Sequence, residues 1–201
     1  MKRRNHDRLF FIIGVMMMIV LGMVGCSLTE RETQREAQKI KKTNAKVENE
    51  GCEDIAENPL EKEADSGFIE AIEQYYEALS QKTEYIEDYE GIEVYRKKGL
   101  YQNTYVAFVK YGMKIKDIYT VVPGLGTLYV VKDGTSGAYQ IHTEELDDRT
   151  ENYIETVAAH EDVQTVMEES RSEYQEAVQS DALLQEALLD LKQAYENSTG
   201  S

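Results

Sequence analysis

The sequence predicts an α+β domain, and three stretches carry that prediction. Phe68, Ile69, Ile72, Tyr75, Tyr76 and Leu79 recur at the spacing of one helix face. Over residues 92–142 the apolar period drops to two, the alternation of strands, and Asp133-Gly134 is a hairpin signal. From Thr150 onward the apolar residues return to helical spacing. A helix, then consecutive antiparallel strands, then helices implies a curled sheet of about four strands with helices packed on it.

Asp65 or Ser66 is placed to cap the first helix. Tyr85-Ile86-x-x-Tyr89 reads as a short helical turn ending at Gly91. Residues 92–98 form a strand closed by Gly99. Residues 103–116 form one long strand, with Tyr105, Ala107, Val109, Tyr111, Met113 and Ile115 on a single face. That face is expected to meet the helical stripe of Ile69, Ile72, Tyr76 and Leu79. Lys110, Lys114 and Lys116 share the opposite face, which is expected to be wet, because three ammonium groups are costly to bury together. Residues 118–122 extend the chain to a turn at Pro123-Gly124. Residues 126–132 form the next strand, and 138–142 pair back. Three helical stripes follow: Tyr153 to Ala158, Val163 to Val178, and, after a cap at Ser180, Leu183 to Tyr195.

Upstream of the domain, residues 26–65 read as a charged tether. Residues 27–65 hold 18 charged residues of 39, no aromatic, and only Leu28, Ile40, Val47, Ile55 and Leu60 as large apolars, too little to offset the entropy of ordering. A frayed helix over residues 30–46 is compatible with this. The folded domain is therefore expected over 66–201.

The first 25 residues carry an address. Lys2, Arg3, Arg4 and Arg8 precede an uncharged run of 17 residues, 9–25, which leads into Cys26 as Met23-Val24-Gly25-Cys26. This ending resembles the lipobox of bacterial lipoproteins. The resemblance implies cleavage of a signal peptide, 1–25, and attachment of a lipid to the Cys26 thiol, with the remaining chain outside the cytoplasm. Cys52 is then left as a lone cysteine; without cleavage, a Cys26–Cys52 loop is conceivable.

A second resemblance lies in the domain. Tyr75-Tyr76, the pattern Tyr85-Ile86-x-x-Tyr89-x-x-Ile92-x-Val94-Tyr95-x-Lys97-x-Gly99, and Pro123-Gly124-Leu125-x-Thr127-Leu128-Tyr129-Val130 look like a family of lipoproteins from Gram-positive bacteria. That family is similar to the cystatin-like and NTF2-like folds. The likeness covers about residues 66–195 and implies a fold rather than a chemistry: it supplies no catalytic residues and no cofactor.

The chain's own residues offer little chemistry. His142 with Glu144 and Glu145, and His160 with Glu161 and Asp162, lack a recognisable metal-ligand spacing. No Gly-x-Ser-x-Gly elbow is present. Gly124-x-Gly126 lacks the Lys and following helix of a phosphate loop. Asp117, with Tyr111 and Tyr119 near it in sequence, is the one candidate for proton transfer of the kind NTF2-like enzymes perform; beside Lys114 and Lys116 it reads more simply as a surface ion pair.

Charge is more informative. The chain has 22 Lys+Arg and 38 Asp+Glu, a net charge of −16, which argues against nucleic-acid binding. Residues 91–132 are nevertheless basic, while the helical segments are acidic. The expectation is a lipid-anchored, extracytoplasmic, non-enzymatic binding or assembly module, with Lys110, Lys114 and Lys116 as candidate binding face. Its partner would be the membrane through the anchor, and an envelope protein or an anionic wall polymer. The alternative is a small-molecule or enzymatic domain with a pocket between sheet and helices. A third reading, dimerisation through the sheet, is opposed by the same three lysines.

Overall fold

The computed structural model describes residues 47–143 and 145–199. The expected signal peptide 1–25, the lipidation site Cys26, the tether up to residue 46, and Glu144 lie outside the described residues. The folded unit is Asn49–Ser201.

Five strands lie side by side in chain order, each antiparallel to the next: β1 (Glu61–Lys62), β2 (Ile86–Lys98), β3 (Thr104–Ile115), β4 (Val122–Lys132) and β5 (Tyr139–Ile141). α1 (Ser66–Lys82) packs on one face. α2 (Asp148–Ala158) and α3 (Glu161–Ser180) cover the other, and α4 (Ala182–Thr199) folds back against α3. The α+β class is as the sequence predicts, with five strands rather than four.

The long strand β3 shows why the sheet is covered on both sides. Its odd positions meet α1: the Phe68 ring lies edge-on to Tyr105, and Tyr76 packs against Tyr111. Its even positions Val106 and Phe108 are equally buried, in a cluster with Leu125, Tyr129, Tyr153, Val157 and Val163. The expectation of a wet even face therefore fails over the first half of β3. Alternation puts Val106 and Phe108 with the lysines, and these two apolar residues bring α2 and α3 down onto that face.

Residues 86–89 are strand, not a helical turn, and Tyr85 lies in the turn before them. Ile86 and Tyr89 are both buried three residues apart because the β2–β3 register shifts between Ile86 and Asp88. A second shift between Glu90 and Glu93 contains Gly91, whose φ of +61° favours glycine. A bulged strand thus imitates helical spacing. Pro123-Gly124 is likewise inside β4 rather than a turn, with Pro123 opposite Gly112 and Gly124 opposite Tyr111. The glycines make room for rings: a Cβ at Gly124 would stand 2.6 Å from the Tyr111 ring, and one at Gly126 would collide with the Tyr76 hydroxyl.

The expected domain boundary at 65/66 moves to Asn49. Residues 49–60 form a strap that polar side chains, rather than large apolars, fix to the sheet. Asn49 Nδ2 donates to the carbonyls of Gly99 and Tyr101 at 2.8 and 2.9 Å. Asn58 is buried, accepts from the Lys98 N–H at 2.8 Å and donates to the carbonyls of Cys52 and Lys98. β1 continues the strap as an added strand on β2.

Helix caps follow the acids. Asp65 accepts from the Gly67 and Phe68 amides at the start of α1, and Asp147 from Thr150 at the start of α2. Asp181, not Ser180, receives the Leu183 and Leu184 amides at the start of α4.

Candidate binding surface

The three lysines expected to share a binding face have different fates. Lys110 reaches Glu173 of α3 at 2.9 Å, and that carboxylate raises its pKa. Lys114 pairs with Glu90 across the β2–β3 ladder at 2.6 Å and is raised in the same way. Lys116 is exposed, in the loop after β3. Elsewhere in the basic segment, Arg96 pairs with Glu63 at 2.8 Å, and Lys97 with Asp162. Acids from neighbouring elements thus neutralise much of the basic sheet, and its positive potential is largely cancelled at short range.

Lys97 belongs to the basic segment 91–132, yet its side chain is fully buried. Its ammonium donates to the Asn58 carbonyl at 2.6 Å and to Asp162 Oδ2 at 2.8 Å. Burial opposes ionisation of Asp162, but the Lys97 ammonium and the Leu60 and Val163 amides outweigh it and hold the carboxyl below its ordinary value. Tyr153 completes the network by donating toward the carbonyls of Lys98 and Cys52, at 2.8 and 3.1 Å. Cys52 is a buried free thiol, its pKa raised by burial. The chemistry here is structural: the network joins strap, β2, α2 and α3. Spacing could not reveal it, since Asn58, Lys97 and Asp162 are far apart in sequence.

Between α1 and the sheet, where a ligand pocket was the alternative expectation, tyrosine rings fill the space. Tyr76, Tyr89 and Tyr111 pack with centroids 5.0–5.2 Å apart, and burial raises the pKa of all three hydroxyls. A cleft of about 300 Å³ beside the strap is instead open and polar, lined by Asn49, Pro59, Glu61, Arg96, Lys98 and Asn103 among others. Asp117 and Tyr119 do not join Tyr111. Asp117 sits exposed in the β3–β4 loop with φ +65°, and Tyr119 is wholly exposed, whereas Tyr111 is buried under α1. His142 stacks edge-on to Tyr129, and His160 Nε2 lies 3.0 Å from the Glu53 carbonyl. Among the described residues, no group of three His, Cys, Asp or Glu could hold a metal ion, and no helix is long and apolar enough to cross a membrane.

Exposed apolar side chains occur on the strap side, at Val47 and Ile55, and at the other end of the sheet, around the β3–β4 loop and the start of α4. Tyr119 is 102% exposed and Leu183 62%. Thr120 donates to Asp181 Oδ2 at 2.7 Å, so the β3–β4 loop is tied to the turn that starts α4, one residue from Tyr119 and two from Leu183. Ile118 and Val121 are half-buried beside them. The strap's first residue, Asn49, binds Gly99 and Tyr101 at the other end of the strands. β3 separates these poles, and its 12 residues span about 35 Å.

No family model matches the chain, and no curated protein or solved structure matches it significantly.

Proposed function

We propose that the protein is a lipid-anchored, extracytoplasmic assembly module that meets a protein partner through the pole formed by Tyr119 and Leu183. The observation that carries this reading is the exposed Tyr119, tied through Thr120 and Asp181 to the turn leading to Leu183, at the opposite end of β3 from the point where the chain enters the domain. Exposed tyrosine beside apolar side chains is the composition of a protein contact. The lipobox-like Met23-Val24-Gly25-Cys26 supports the anchor.

The ion-paired lysines favour a protein partner over an anionic wall polymer, because Lys110 and Lys114 would have to give up carboxylates to bind phosphate. A helix crossing an antiparallel meander supports the cystatin-like/NTF2-like reading of the fold, while the ring-filled interface under α1 favours an assembly role over a small-molecule pocket.

Site-specific photo-crosslinking of the full chain in its own membrane tests the proposal. A crosslinker at position 119 or 183 is expected to yield a discrete protein adduct that a crosslinker at Glu87, exposed on β2, does not. Equal yields at 87, or no adduct at 119 and 183, would contradict it.

A further inference from the structure

α4 is more apolar than its contacts require. Leu184 is fully buried and Leu188 and Leu191 are half-buried, so these three point inward, yet Leu183 and Leu189 remain 62% and 58% exposed. At 100° per residue, Leu189, Glu186, Asp190 and Leu183, all exposed, fall in that order within an arc of about 120° on the outward half of the helix. Two leucines therefore flank two carboxylates. Neither Glu186 nor Asp190 has an ion-pair partner among the described residues.

We infer that this face docks a cationic amphipathic helix of a partner protein. The inference rests on the proposed pole and names the chemistry of what meets it. Leucine side chains supply apolar contact, and the carboxylates between them select a partner whose apolar stripe is bordered by Lys or Arg. A helix suits the surface because exposed Leu183, Glu186 and Leu189 form an i, i+3, i+6 ridge that can seat in the groove of another helix. A second copy fits poorly: α3 and α4 would bring their acid excess against an identical acid excess.

The test uses the full chain in zwitterionic micelles and three synthetic peptides of about 18 residues, long enough to be helical. One is a Lys/Leu amphipath, one replaces its leucines by serine, and one replaces its lysines by glutamate. The Lys/Leu peptide is expected to bind about tenfold or more tighter than either other peptide. Leu189→Ser and Glu186→Lys should each weaken it about fivefold or more, and Glu87→Lys less than about twofold. Equal affinity for the Lys/Ser peptide, or equal loss with Glu87→Lys, would overturn the inference. So would sedimentation of the full chain as a dimer that Leu189→Ser dissociates. Adducts that persist at position 119 while the peptides fail to discriminate would remove the partner's chemistry and leave the pole standing. Absence of those adducts would remove the pole itself.

Discussion

The fully buried ammonium of Lys97 lies 2.8 Å from the Asp162 carboxylate, joining the end of β2 to the first turn of α3. The pair is asymmetric, because the Asp162 side chain is 27% exposed and Lys97 is not exposed at all. Asp162→Ala leaves an ammonium sealed in with only the Asn58 carbonyl, an expected loss of about 2–4 kcal/mol, somewhat under a wholly buried pair because of solvent screening. Lys97→Met leaves a carboxylate that still has water and two amides, and should cost about 1–2 kcal/mol. Urea unfolding measures both, and equal losses would show that the asymmetry has no energetic consequence.

Asp162 also sets a pH dependence. Its folded pKa lies below the unfolded value of about 3.9, so its contribution is present above that pH and is lost as pH falls through the folded pKa. The stability difference between wild type and Asp162→Asn should thus be constant near neutrality and shrink below about pH 4. A difference that shrank instead between pH 6 and 8 would assign the dependence to another group.

Removing residues 49–65 should destabilise the domain by more than about 2 kcal/mol, since Cys52, Asn58 and the β1 pairing leave with them. Asn58→Ala alone should cost about 2–3 kcal/mol by leaving buried carbonyls and the Lys98 amide unpaired. Melting of a 66–201 fragment unchanged from that of a 49–201 fragment would restore the boundary at residue 66.

Gly126→Ala should cost about 1–3 kcal/mol through overpacking, and Tyr76→Phe in the same chain should recover part of it by removing the hydroxyl in the way. Simple additivity of the two losses would mean that the contact is not the cause.

The two faces of β3 give a direct comparison. Val109→Ala should cost about 1–3 kcal/mol and Phe108→Ala about 3–5, because both are fully buried on opposite faces. Lys114→Ala, removing a solvent-screened ion pair, should leave stability nearly unchanged. A silent Phe108→Ala would return the even face to solvent.

These residues also show what the sequence could and could not convey. Helices α1 to α4 and the odd face of β3 were readable because periodicity is local. The even face misled: three lysines outweighed Val106 and Phe108, although the acids that accompany those lysines, Glu90 and Glu173, come from other elements. The strap was missed because its order comes from Asn49 and Asn58 meeting backbone groups some 40 to 50 residues away, and a count of apolar residues cannot register that. The Tyr119–Leu183 pole was unreadable for the same reason, since the Thr120–Asp181 hydrogen bond, between residues 61 apart, brings its halves together.

Contact through that pole is tested most directly by the Tyr119→Ser/Leu183→Ser double variant carrying a photo-crosslinker at position 189, compared with the same reporter in the otherwise unaltered chain in its native membrane. Both substitutions are at exposed side chains, so the melting should stay within about 0.5 kcal/mol of the parent. The predicted result is an intact fold with the adduct lost; an undiminished adduct from an equally stable variant would contradict the assignment.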